Sequence, residues 1–150
     1  MNRKVLVVVD MQDGFLSSAS QVVLPVLCHI RDALALGIPI VIVQYEEYGS
    51  TLDQILDILP NNSYVRVWKS DDDGADEVLR AMKVFSLPAH TDIFLCGVNG
   101  GYCVCDTFHS LRAYGYDTYL LEDAIACNEE DWRKFYNPKD LWRFVSSLSY

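Results

Sequence analysis

The sequence predicts a doubly wound, three-layer α/β/α domain whose central sheet is mainly parallel and has five or six strands. Three observations carry this. Val5-Leu6-Val7-Val8-Val9 is an unbroken, largely β-branched run, as expected of a strand covered on both faces. Apolar strand-like segments then alternate with amphipathic helical ones, the pattern of right-handed βαβ units. Finally, Asp92–Cys96 leads through a glycine-rich loop into helical spacing that starts at Cys103.

The elements follow in order. The first strand covers 3–10 and leads into the polar loop Asp10-Met11-Gln12-Asp13-Gly14-Phe15. Val23, Val26, Leu27, Ile30 and Leu34 mark a helix with Pro25 near its start and Gly37 near its end. A second strand is expected over 38–45 and a short helix over 53–59. Tyr64-Val65-Arg66-Val67-Trp68 alternates as a third strand and delivers Lys69 at its carboxyl end. Ala75, Val78, Leu79 and Met82 stripe the next helix. In the helix that starts at Cys103, Val104, Phe108 and Leu111 recur at helical spacing, with Gly115 as the stop. A fifth strand is expected over 117–121, and Leu141, Phe144, Val145 and Leu148 stand at helical spacing near the end.

The 150 residues suffice for one domain with a sizeable core, and the expected organisation is a single domain over 1–150. A formal charge of -9 argues against nucleic acid or an anionic membrane as partner, because both reward clustered Lys and Arg. No apolar run reads as a signal segment or membrane span. The five cysteines are an odd number, which points to reduced thiols and a cytoplasmic location. Their spacing fits no zinc pattern and contains no CxxC, and Cys103 and Cys105 do not face each other on a helix. The third strand ends in Trp68-Lys69 rather than an acidic acceptor, which sets aside a phosphoacceptor domain of similar architecture.

In a doubly wound sheet, ligands bind beyond the carboxyl ends of the strands. Asp10, Lys69 and Cys103 each stand at or just past such an end, so all three are expected on one edge. A buried cysteine is commonly only a small hydrophobe, and Asp10 or Lys69 alone would pass for a loop residue. Together they supply a base, a cation and a nucleophile for acyl transfer. At a helix start, Cys103 is expected to gain thiolate character from the dipole and from unpaired N–H groups, which also suit an oxyanion.

Five blocks stand in a telling order: Val7-Val8-Val9-Asp10-Met11-Gln12-Asp13-Gly14-Phe15, Trp68-Lys69, Gly97-Val98-Asn99-Gly100-Gly101-Tyr102-Cys103-Val104, Gly115-Tyr116 and Glu122-Asp123-Ala124. The combination resembles the isochorismatase-like cysteine hydrolases, the superfamily that includes nicotinamidases. The resemblance implies Cys103 as nucleophile, Asp10 as base and Lys69 as the cation between them. It also implies a cis Val98–Asn99 peptide that aims the N–H groups of Asn99 and Cys103 as an oxyanion hole. The implied activity is hydrolysis of a small amide-type C–N bond through a thioester. Phe15, Trp68 and Val98 are the expected substrate contacts, with the two rings stacking on a planar substrate.

Nicotinamidases usually hold a metal through Asp and His residues after the second strand. Gln44–Ser50 has no histidine, so no metal or other cofactor is expected and nicotinamide is not the expected substrate. The chain departs from the family pattern twice: Asp13-Gly14 stands for the usual Asn-Asp, and Gly100-Gly101 for Thr and an acidic or amide residue. Family members often self-associate, and the aromatic segment from Trp132 is the expected surface for a homodimer or larger homo-oligomer. The alternative to an enzyme is a catalytically inactive ligand-binding or regulatory protein of the same fold.

Overall fold

The computed structural model describes residues 3–150. Strand β1 (Lys4–Val9) is followed by a 3-10 turn and helix α1 (Leu16–Leu36), then β2 (Ile40–Tyr45), the short α2 (Asp53–Leu56) and β3 (Tyr64–Lys69). Helix α3 (Ala75–Val84), β4 (Asp92–Val98), α4 (Cys103–Ala113) and β5 (Thr118–Ala126) follow. Two 3-10 turns, Trp132–Phe135 and Pro138–Arg143, lead to the two-residue β6 (Phe144–Val145).

The six strands are ordered β3-β2-β1-β4-β5-β6, and every neighbouring pair is parallel. The chain winds outward from β1 to β3, then crosses to β4 and winds the other way. The switch point therefore lies between β1 and β4, whose carboxyl ends deliver Asp10 and the loop before Cys103. Alternation along the strands divides the core. Leu6, Val8, Ile40, Ile42, Phe94 and Cys96 pack under α1 and α2. Val5, Val7, Val9, Val41, Val43, Ile93 and Leu95 pack under α3 and α4.

Helix α1 begins nine residues before Pro25, which the sequence reading sets near its start. Proline lacks the N–H that would bond the Gln21 carbonyl, but Gln21 is exposed and water can serve that oxygen. Asp13–Leu36 is long and apolar enough to cross a membrane by length and composition alone. Here Ala19, Val22, Val26, Ile30 and Ala33 are packed into the core, which accounts for its apolar character. The expected C-terminal helix is instead 3-10 turns and a strand, with Leu120 opposite Phe144 and Leu121 opposite Val145. The helical spacing there coincides with residues that pair with β5.

The switch point demands close backbone approach. A Cβ on Gly97 would sit 2.0 Å from the Val9 carbonyl oxygen, and Gly97 has φ +125°, which side-chain-bearing residues rarely adopt. The β4–β5 register also shifts between Leu95 and Gly97. Gly97→Ala is therefore expected to lose more than about 3 kcal/mol of unfolding free energy. Gly37→Ala, at the open C-terminus of α1, should lose only about 1 kcal/mol. Urea unfolding of both variants checks this, and small, equal losses would contradict it.

Candidate active site

Asp10, Lys69 and Cys103 arrive from β1, β3 and the start of α4 and are 0%, 1% and 2% exposed. Asp10 is turned into place by φ +57°, a left-handed conformation tolerated by Asp better than by most residues. Its Oδ2 accepts a hydrogen bond from Asn99 Nδ2 (3.0 Å), while Lys69 Nζ lies 3.5 Å from Oδ1. Oδ1 itself has no hydrogen-bond partner among the described residues. It is a buried acceptor held beside a cation.

Lys69 is surrounded by the groups a buried ammonium requires. Besides Asp10, its Nζ donates to the Asp71 carbonyl (3.0 Å) and sits 3.8 Å from the centre of the Tyr45 ring. Tyr45 is fixed by Gln12, a fully buried amide. Gln12 Nε2 donates to the carbonyls of Tyr45 (2.9 Å) and Gly49 (2.8 Å), and its Oε1 accepts from the Tyr45 N–H (2.8 Å). Phe15 stacks on Tyr48 at 4.5 Å, and Tyr48 meets Tyr45 edge-on at 4.9 Å. An aromatic group thus stands beside the lysine.

The Cys103 thiol donates to Asp72 Oδ1 at 3.7 Å, and the same oxygen accepts from the Tyr45 hydroxyl at 3.1 Å. Burial pushes the thiol pKa up. The charge of Asp10 raises it further, and Lys69 only partly offsets these effects. Burial likewise raises Asp10 above the ordinary carboxylate value, against the opposing pull of Lys69 and the bond from Asn99. This runs against the expectation of thiolate character from the helix start: burial and the charge of Asp10 favour the protonated thiol. The Tyr45 hydroxyl is pushed up to about 12, first by burial and then by Asp72.

Other expectations need correction. No peptide bond among the described residues is cis, so Val98–Asn99 is trans. The turn is made instead by positive φ at Gly97 (+125°) and Asn99 (+63°), with the Asn99 amide tied to Asp10. Val98 packs in the core beneath α1, whereas Cys103 packs with the α3 and α4 residues on the other side of the sheet, so the Val98 side chain does not face Cys103. Trp68 alternates with Lys69 along β3 and therefore projects from the other face of the sheet, 52% exposed, with the Arg66 guanidinium 5.6 Å from its ring centre. Phe15 stays with the aromatic group near the site.

The Asn99–Cys103 loop is braced by bonds that sequence reasoning did not anticipate. Tyr102 and Val104 N–H groups donate to the Asn99 carbonyl, and Gly100 N–H donates to Ala126. The Tyr136 hydroxyl donates to the Gly100 carbonyl at 2.7 Å. A Cβ on Gly101 would lie 2.7 Å from the Phe135 ring, and one on Gly100 would lie 3.0 Å from Trp132. Trp132 and Tyr136, expected on a self-association surface, are therefore turned inward, whereas Phe135, Leu141 and Trp142 remain exposed. Gln12, Tyr45 and Asp72 carry no signal of their own in the sequence: Gln12 and Tyr45 stand in an ordinary loop and strand, and Asp72 is the middle one of three consecutive aspartates. The donor set after β2 does not suit a metal. Glu46 and Glu47 are exposed, and no three His, Cys, Asp or Glu side chains among the described residues are grouped to hold one.

A buried pair of this kind behaves as a unit. Asp10→Asn and Lys69→Met are each expected to lose about 3–5 kcal/mol, since each leaves a buried partner uncompensated, while the double variant loses far less than their sum. A double-mutant cycle by urea unfolding measures the coupling; additive losses would contradict the pair.

Comparison with known proteins bears on what this arrangement is. The isochorismatase domain model matches residues 4–137. A secreted isochorismatase effector, Isc1, of Phytophthora sojae is 30% identical over an alignment of 131 positions that covers 81% of this chain and 61% of that protein. The chain thus spans about three-fifths of that relative's length. Among solved structures, the MAR1 ribonuclease of Caenorhabditis elegans superposes with a TM-score of 0.77 at 18% identity, covering 98% of this chain and 79% of that one. A pyrazinamidase of Pyrococcus horikoshii, solved in complex with zinc, gives 0.74 at 19% identity, covering 97% and 98%. With the domain model matched across nearly the whole sheet and through the Asn99–Cys103 loop, the chain belongs to the isochorismatase family and has the isochorismatase-like fold.

Proposed function

We propose that residues 1–150 act as a cysteine hydrolase that cleaves a small amide-type C–N bond through a thioester on Cys103. The observation that carries the reading is the convergence of Asp10, Lys69 and Cys103 from three separate elements, with a buried Asp10 oxygen left without a hydrogen bond. Membership of a hydrolase family and the structural likeness to a pyrazinamidase support it.

In this reading Asp10 Oδ1 takes the proton as Cys103 Sγ attacks the substrate carbonyl. Lys69 stabilises the negative charge passing between carboxylate and sulfur. The N–H groups of Asn99 and Cys103, absent from the loop's backbone–backbone bonds among the described residues, receive the oxyanion. As the C–N bond breaks, the amine or ammonia leaves with the proton held by Asp10. Water then gives a proton to Asp10, attacks the thioester and frees the acid and the thiol. Cys103 works only as a reduced thiol, and none of the five cysteines is paired, which supports action in a reducing compartment such as the cytoplasm.

A second reading, a family member that binds a ligand without turnover, draws on the closure of the site, since all three residues are almost inaccessible. Intact-protein mass spectrometry with a panel of small amides separates the two. The hydrolase reading expects an acyl adduct on Cys103, with turnover reduced at least about 100-fold in Cys103→Ala and Asp10→Asn. The acid limb of kcat/KM should lie above the ordinary Asp value of 3.8, because Asp10 is raised and must be ionised to accept the proton. Binding without adduct or turnover across the panel would favour the second reading.

A further inference from the structure

The segment 70–74 between β3 and α3 carries three aspartates, and two have local structural duties. Asp71 lends its carbonyl to Lys69 and accepts the Asp73 N–H at its side chain. Asp73 Oδ1 accepts the Ala75 N–H at the start of α3, and Oδ2 accepts the Ser110 hydroxyl. Asp72 is different. Its partners among the described residues are the Tyr45 hydroxyl and the Cys103 thiol, so it is a second carboxylate in contact with the nucleophile.

This placement is unfavourable for a hydrolase of neutral amides. A carboxylate against the sulfur opposes formation of the attacking thiolate, and Asp10 already does the same. The nearby cation, Lys69, is engaged by Asp10, the Asp71 carbonyl and the Tyr45 ring. Asp106 and Asp73 add negative charge on the same side, and the Asp106 carboxyl is raised by burial and by Asp72 and Asp73. A positively charged group on the substrate reverses the sign of the effect. It pairs with Asp72, cancels the charge facing the sulfur and so eases thiolate formation only when the substrate is present. Tyr45, bonded to Asp72 through its hydroxyl, brings the Tyr48 and Phe15 rings to the same side of the site.

We infer, resting on the hydrolase reading, that Asp72 with Tyr45 is a specificity-determining pair that selects substrates bearing a cationic group, such as an ammonium, amidinium or guanidinium, within a few bonds of the scissile carbonyl. The distance from Asp72 Oδ1 to Cys103 Sγ, 3.7 Å, sets that short reach.

The test uses charged thiol reagents, so it does not depend on finding the substrate. The full chain is labelled in parallel with aminoethyl and sulfonatoethyl methanethiosulfonate, and rates at Cys103 and at exposed Cys28 are read by peptide mass spectrometry. Cys28 reports the general attraction of the acidic chain for cations. The cationic-to-anionic rate ratio at Cys103 should exceed that at Cys28 by about tenfold or more. Asp72→Asn should bring it down to the Cys28 value, and Asp72→Glu should retain it. A Cys103 ratio equal to that of Cys28, one unmoved by Asp72→Asn, or no labelling of Cys103 by the cationic reagent overturns the inference. If the ratio holds but no amide, cationic or neutral, gives turnover or an adduct, the hydrolase reading fails and the cation preference stands as a binding property. Turnover of neutral amides at least as fast as their cationic counterparts overturns the inference and leaves the hydrolase reading intact.

Discussion

Much of this molecule is arranged around one buried ion pair, Asp10 with Lys69, held at the carboxyl edge of the sheet. Removing two charges from water is costly, and their attraction offsets the cost only when the surroundings supply further polar contacts. Those contacts are here: the Asn99 amide on Asp10, and the Asp71 carbonyl and Tyr45 ring on Lys69. Each fixes a different loop. The pair thereby locks together the ends of β1, β2, β3 and β4, and Gln12 completes the lock by joining the first loop to the second. The same burial that makes the pair costly raises the Asp10 carboxyl and the Cys103 thiol, which favours a protonated thiol beside Asp10.

The two departures from the family pattern have a common physical basis in close packing. Gly14 lies where a Cβ would be 2.6 Å from the Tyr48 carbonyl oxygen, so a side chain there would push away the loop that carries the aromatic group. Gly100 and Gly101 leave room for the rings of Trp132 and Phe135, and Tyr136 bonds the Gly100 carbonyl. The chain after β5 thus covers the Asn99–Cys103 loop with aromatic side chains. Small residues in the loop and large ones over it form one packed unit, which keeps Cys103 from solvent.

The central architecture was legible because parallel strands covered on both faces must be apolar throughout. Runs such as Val5–Val9 and Ile40–Val43 therefore announce themselves. The placement of Asp10, Lys69 and Cys103 on one edge followed from topology, since parallel strands bring all their carboxyl ends to the same side. Contacts set by long-range packing were not legible. The pairing of Phe144 with Leu120 depends on a strand far away in sequence, and the local spacing around it looks helical. Trp68 is adjacent to Lys69 in sequence, but strand alternation puts it on the opposite face. Asp72 was hidden in an acidic run, and only the fold of the segment separates it from its two neighbours.

The central claim is that desolvation keeps Cys103 protonated at rest and that Asp10 removes the proton only during attack. The direct measurement is the ultraviolet absorbance of thiolate as pH is raised, taken as the difference between the wild-type chain and Cys103→Ser. The account predicts no Cys103 thiolate at neutral pH, with the signal emerging above the ordinary cysteine value of 9.0. Asp10→Asn should move that emergence to lower pH by removing a facing negative charge. A full thiolate signal at neutral pH would contradict the account, because it would mean that Lys69 and the start of α4 outweigh burial.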